Sequence, residues 1–280
     1  MKSNFIKRTI TGVIFVAVVV GCILWTPLSF TILFTLVSVM TVNEFANIIS
    51  HSGEAHLHKP MAMLASAFLF IGFAYLGIAP GKYEVLIPYL FLLMYMMVYE
   101  LYRKDTNPLH NWAYTMMSQL YIALPFALLN LVAYHTPLDA SSGSSYNPIL
   151  PLSIFIFTWL NDTGAYCTGV LIGKHHLFPR ISPKKTWEGS IGGAAFCIIA
   201  SLVLAHFYPF LSQWKWIGLA LTIVVFGTWG DLVESLLKRT LGIKDSGTIL
   251  PGHGGLLDRF DSTLMAVPAS VVYLYLISSL

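Results

Sequence analysis

Charge is what this sequence has least of. Only 29 of its 280 residues are Asp, Glu, Lys or Arg, 10% where a soluble domain carries about 25%. With a mean hydropathy of +0.71, a soluble globular chain is excluded at the outset. Cysteine is scarce too: Cys22, Cys167 and Cys197 sit in apolar stretches at uneven spacing. They offer neither a disulfide framework nor a zinc site. No fixed-period repeat is present, and the run Ser141-Ser-Gly-Ser-Ser145 is the one low-complexity patch. A Ser-His-Asp order, a redox centre and a cysteine nucleophile are all missing, which sets aside acyl-transfer, redox and thiol chemistry. The net charge of +3 is small, and no nucleic-acid partner is expected.

What the chain has is apolar runs. A membrane-crossing helix needs about 20 mostly apolar residues. Nine such runs occur, at roughly 9–26, 29–49, 61–79, 84–102, 113–134, 149–172, 190–210, 214–236 and 262–280. The fold class expected is therefore all-α, a polytopic integral membrane protein of about nine transmembrane helices. Four spans fall in residues 1–110 and five in residues 111–280, the part with two active-site loops. Lys2, Lys7 and Arg8 before an apolar stretch resemble a signal peptide. Because the sequence stays hydrophobic past Cys22, the stretch is taken as the first span. With an inside N-terminus and nine spans, fourteen of the 16 Lys and Arg residues fall on the cytoplasmic side. Only Lys82 and Lys215 fall outside, the asymmetry expected of an inner-membrane protein.

Acidic residues inside spans carry the next signal, since a buried carboxylate costs about 3 kcal/mol on insertion scales. Glu44 and Glu100 lie near span ends, where water is expected to reach them. Asp162 lies mid-span and is expected to line a polar cavity. Asp231, Glu234, Ser235 and Lys238 stand at i, i+3, i+4 and i+7, one face of a helix, although Glu234 and Lys238 also suit a plain intrahelical ion pair. Asp258 and Asp261 are three residues apart at the start of the last span. Side by side they repel unless a cation separates them. Hard divalent ions such as magnesium take carboxylate oxygens plus substrate phosphate. Asp231, Asp258 and Asp261 would make such a metal site.

Residues 231–261 hold nine of the 29 charged residues, and Gly242, Gly247, Gly252, Gly254 and Gly255 let backbone amides approach an anion. A second loop, from Arg180 through Ser182, Lys184, Lys185, Thr186 and Glu188, leads into a helix and suits phosphate. Gly169-Val-Leu-Ile-Gly173-Lys174 is one residue short of a Walker loop, and His175-His176 lacks the company a metal ligand needs. Cationic loops, carboxylates and glycine-rich backbone at a membrane surface point to phosphoryl or nucleotidyl transfer. A transporter would spread its charge through several spans, whereas here the charge is gathered in two loops.

The run Ser235-x-Leu237-Lys238-Arg239, Lys244-Asp245-x-Gly247, Leu250-Pro251-x-His253-Gly254-Gly255-Leu256 and Asp258-Arg259-Phe260-Asp261 resembles the signature of the phosphatidate cytidylyltransferases (CDP-diacylglycerol synthases). Asp162-Thr-Gly-Ala-Tyr166, Gly173-Lys174 and Ser182-Pro-Lys-Lys-Thr186-x-Glu188-Gly189 extend the likeness over about residues 155–265. The resemblance implies that CTP and phosphatidic acid give CDP-diacylglycerol and pyrophosphate at the cytoplasmic face of the bilayer. It implies a magnesium centre on Asp231, Asp258 and Asp261, with potassium as a possible second ion, and a homodimer. Lys238 joins those aspartates as a catalytic residue. Lys184, Lys185, Lys238, Arg239, Lys244 and Arg259 would share the phosphates, with Ser182, Thr186, Glu188, Asp245, His253, Gly254 and Gly255 contacting substrate. Asp162 would line the same cavity. A CTP-dependent lipid kinase, or a transferase for another lipid acceptor, is the alternative.

Overall fold

The computed structural model describes residues 2–104, 107–134, 146–247, 249 and 254–278, with side chains from Thr9 onward. These residues are mostly helical. The elements are α1 (Lys2–Trp25), α2 (Pro27–Ser52), α3 (Lys59–Ile78), α4 (Ile87–Tyr99), α5 (Pro108–Met117), α6 (Leu124–Tyr134), α7 (Ile149–Ile172), α8 (Trp187–Phe207), α9 (Gln213–Thr240) and α10 (Leu257–Ser278). Short 3-10 turns flank α4, and a π-helical segment, Ser118–Ala123, joins α5 to α6. Between α7 and α8 lies an antiparallel hairpin of β1 (His176–Phe178) and β2 (Ser182–Thr186).

Proline sets many of the boundaries, because it has no N–H to give and fits only a first turn. Pro27, Pro60 and Pro108 open α2, α3 and α5. Thr26 and Ser29 form a reciprocal capping box, so one residue suffices to turn α1 into α2. Pro125 sits just inside α6 and cannot donate to the preceding turn. The π segment immediately before it absorbs the missing bond.

Each apolar run of the sequence falls on helix, but the count of nine spans is not confirmed. Among the described residues seven helical stretches are long and apolar enough to cross a membrane. The other two fall short for different reasons. The described side chains of α1 give only a shorter apolar helix, Thr9–Trp25, and Asn161 and Asp162 interrupt the apolar run of α7.

The chain packs as two compact units, the first from residues 1–135, 144–148 and 241–260 and the second from 136–143, 149–240 and 261–280. In the first, α3 packs on α2 and α6 around Phe30, Phe34, Phe45, Phe70 and Phe126. In the second, α8 lies between α7 and α9. The helix α10 begins in the first unit and continues from Asp261 in the second.

Candidate active site

In the second unit, α7 and α8 meet at backbone distance because glycine lines the seam. A Cβ at Gly193 would collide with the side-chain oxygen of Asn161 and lie 2.7 Å from its carbonyl. One at Gly189 would lie 2.8 Å from the Ala165 carbonyl, and one at Gly164 3.0 Å from Gly193 Cα. Small residues allow such close approach between membrane helices. The contact sets Asp162 beside the first turn of α8.

The hairpin is tied to the same helix ends. Glu188 Oε2 accepts from the backbone N–H groups of Lys174 and His175, each at 3.2 Å, and Oε1 lies 2.5 Å from His175 Nδ1. Thr186 caps α8 by accepting from Gly189 N at 3.1 Å. Its Oγ1 leaves no room for a Cβ at Gly173, which would sit 2.8 Å away. The Gly173-Lys174 pair is thus part of a structural joint, and His175 is a partner of Glu188 in it.

These constraints enclose a cavity of about 260 Å³. Asn161, Asp162 and Tyr166 form its α7 wall, and Lys184, Lys185 and Thr186 come from β2. Ser190 of α8 and Thr228 and Asp231 of α9 complete it. Lys185 Nζ lies 2.5 Å from Asp231 Oδ2, and Ser235 Oγ donates to Asp231 Oδ1 at 3.1 Å. One turn further along α9, fully buried Glu234 pairs with Lys238 at 2.6 Å. A Cβ at Gly230 would lie 2.6 Å from the Asp261 carbonyl, so α9 and α10 touch beside Asp231. Asp261 accepts from Ser262 N at 2.5 Å, and the charges acting on it are those of Asp231, Glu234 and Asp162.

The glycine-rich loop belongs to the first unit, and its amides do meet anions at close range. The anions are the chain's own carboxylates. Asp258 Oδ2 accepts from Ser246 N and Gly255 N, both at 2.9 Å. Glu44 accepts from Leu256 N at 2.8 Å, from Leu257 N at 3.3 Å and from Ser246 Oγ. Gly254 takes a left-handed φ of 82°, and a Cβ there would lie 2.5 Å from Asp258 Oδ2.

The fold thus brings Asp162, Lys184, Lys185, Thr186 and Asp231 to one cavity. Ser182 is half-buried on β2, Glu188 is held in the joint, and Lys238 is engaged with Glu234. Arg239, Lys244, Asp245 and Arg259 are exposed, and His253 lies outside the described residues. The expectation that Glu44 and Glu100 reach water is corrected. They are 4% and 5% exposed, and Glu100 accepts from Asn111 Nδ2 at 2.7 Å beside Arg103. Asn161, Tyr166, Ser190 and Thr228 were missed. Helical spacing could have found three of them, since Thr228, Tyr166 and Ser190 stand one turn from Asp231, Asp162 and Thr186. Among the described residues no three His, Cys, Asp or Glu side chains form a ready metal cluster.

A half-buried carboxylate–lysine pair, hydroxyls and a helix N-terminus surround this small cavity, a set of groups with the chemistry to receive a phosphate-bearing ligand. A sequence model of the cytidylyltransferase family matches residues 6–277. The chain belongs to the cytidylyltransferase family. It is similar to the phosphatidate cytidylyltransferase of Staphylococcus aureus, 43% identical over 171 residues that cover 61% of this chain and 62% of the relative. That of Staphylococcus epidermidis is 44% identical over 172 residues, covering 61% and 62%. That of Staphylococcus saprophyticus is 42% identical over 174 residues, covering 62% and 63%. The chain thus spans less than two thirds of the length of these curated relatives.

Proposed function

We propose that this chain is a phosphatidate cytidylyltransferase. An oxygen of the lipid phosphate attacks the α-phosphorus of CTP, a phosphoanhydride bond forms, the α–β bond breaks, and pyrophosphate leaves. The observation that carries this reading is the Lys185–Asp231 pair in a cavity shared with Lys184 and Asp162, in a membrane chain of the cytidylyltransferase family. At about 260 Å³ the cavity is below the roughly 300–1,000 Å³ of pockets that enclose whole ligands. It suits the phosphate end of a nucleotide and leaves the cytidine outside.

The lysines and the positive end of α8 bind the triphosphate, and Lys185 exchanges Asp231 for a phosphate oxygen as the nucleotide enters. The lipid phosphate is already anionic at neutral pH, so its attack needs no general base. Arg239, exposed at the end of α9, is assigned to the lipid phosphate, and Lys238 to holding Glu234. Magnesium fits this donor set, because it is typically held by one or two carboxylates plus substrate phosphates, which Asp231 and Asp261 with a triphosphate would supply. When bound, it neutralises charge on the reacting phosphates. Asp258, already bonded to two backbone amides, is a further candidate ligand. Asp258→Asn and Asp261→Asn are expected to abolish transfer while the protein stays in the membrane. Near wild-type turnover of either at limiting magnesium removes that residue from the metal set.

The fourteen-to-two distribution of Lys and Arg supports a cytoplasmic site in a bacterial inner membrane. The test of the reaction is incubation with phosphatidic acid and CTP labelled either in the cytidine or in the terminal phosphate. A cytidylyltransferase moves only the cytidine label into lipid. Terminal-phosphate label in lipid means a kinase, and no label in lipid with either form rejects both.

A further inference from the structure

Glu44 stands 202 residues before Ser246 of the signature run, yet it is built into it. Its carboxylate is matched by three donors: the first two amides of the α10 turn, Leu256 N and Leu257 N, and the hydroxyl of Ser246. The amides at a helix start have no partner within the helix and sit at the positive end of its dipole, so a carboxylate is suited to them. Two signature glycines are explained by the same side chain. A Cβ at Gly255 would collide with Glu44 Oε1, and one at Gly247 would lie 3.1 Å from its carboxyl carbon.

Glu44 therefore joins Ser246 to the start of α10 at Leu256 and Leu257. The start of α10 has a second, apolar anchor. Phe260 makes edge-to-face contacts with Phe15, Phe34 and Phe126 at 5.7, 6.4 and 5.3 Å between ring centroids. These rings keep the helix in place when the carboxylate is changed, so loss of Glu44 should disturb aim more than folding.

We propose that Glu44 is a positioning residue for nucleotidyl transfer, fixing Ser246 against Leu256, Leu257 and the first turn of the helix that carries Asp258 and Asp261. This rests on the cytidylyltransferase reading above. A glutamine at this position keeps the shape but presents an N–H where an acceptor is needed.

The test uses Glu44→Gln in the full chain, reconstituted in phospholipid nanodiscs. Hydrogen exchange of peptides covering residues 244–258 and the kinetic constants for CTP are measured together. Losing hydrogen bonds to a charged group should speed exchange there about tenfold or more, with α3 unchanged. The value of kcat should fall by a similar factor, while KM for CTP stays within about threefold, because the cavity lysines are on β2. Glu44→Asp, which keeps the charge, should recover part of the loss, and it carries the same test if the glutamine variant does not fold. Glu100→Gln, a buried carboxylate held by Asn111, should keep its kcat per folded molecule. Unchanged exchange, a kcat within twofold of wild type, or an equal kcat loss in Glu100→Gln overturns the proposal. If wild type transfers no cytidine label, the reaction reading fails, and the exchange result still decides the clamp.

Discussion

Asp231 and Lys185 are each half-exposed, so their 2.5 Å contact adds little to stability; its value is in what it keeps apart until substrate arrives. Lys185→Met should raise KM for CTP at least about tenfold, the loss expected when a charge-assisted bond to phosphate goes. Steady-state kinetics at fixed lipid decides it, and an unchanged KM would remove Lys185 from the nucleotide site. Glu234 and Lys238 are a different case, because Glu234 is fully buried. Glu234→Ala breaks this buried pair and should destabilise the fold by about 3–5 kcal/mol, read as a lower midpoint of thermal unfolding. The polar stripe of α9 was legible because helical spacing puts Asp231, Glu234, Ser235 and Lys238 on one face. Glu44 was not, since its partners lie across the chain and its own surroundings read as an ordinary span end.

Elements were legible where composition alone decides them. Apolar length found the helices, and proline found their breaks at Pro27, Pro60 and Pro108. The hairpin was not, because five residues of polar strand, Ser182–Thr186, look like any basic loop until Glu188 ties their base. Glu188 was read as a substrate contact, and in the structure it accepts from two backbone amides. Glu188→Ala should therefore release the hairpin and weaken CTP binding through Lys184 and Lys185, visible as proteolysis at residues 174–186 together with a higher KM. The glycine seam between α7 and α8 was present in the sequence as Gly164, Gly189 and Gly193 without a partner to give it meaning. Gly193→Val should drive the helices apart at Asn161 and reduce the monodisperse folded fraction on gel filtration, whereas Cys167→Ser, off the seam, should not.

For the whole molecule, hydropathy specified a membrane chain but left the number of crossings open, because α7 carries polar residues at its middle for the sake of the cavity. The charge distribution supplies a sharper test of orientation. A phosphatase active only outside the cell should be active when fused after residue 137 and inactive after residue 105; the reverse would invert the proposed topology. The central claim is that the cavity of Asp162, Lys185 and Asp231 performs cytidylyl transfer to a lipid phosphate. The most direct measurement is transfer of cytidine label from CTP to phosphatidic acid by purified wild type and by Asp231→Asn, each with and without magnesium. We predict labelled lipid from wild type with magnesium, and a loss of about a hundredfold or more in the variant, the scale of removing an electrostatic group from a reacting centre. Labelled lipid formed at the wild-type rate by folded Asp231→Asn would contradict the account.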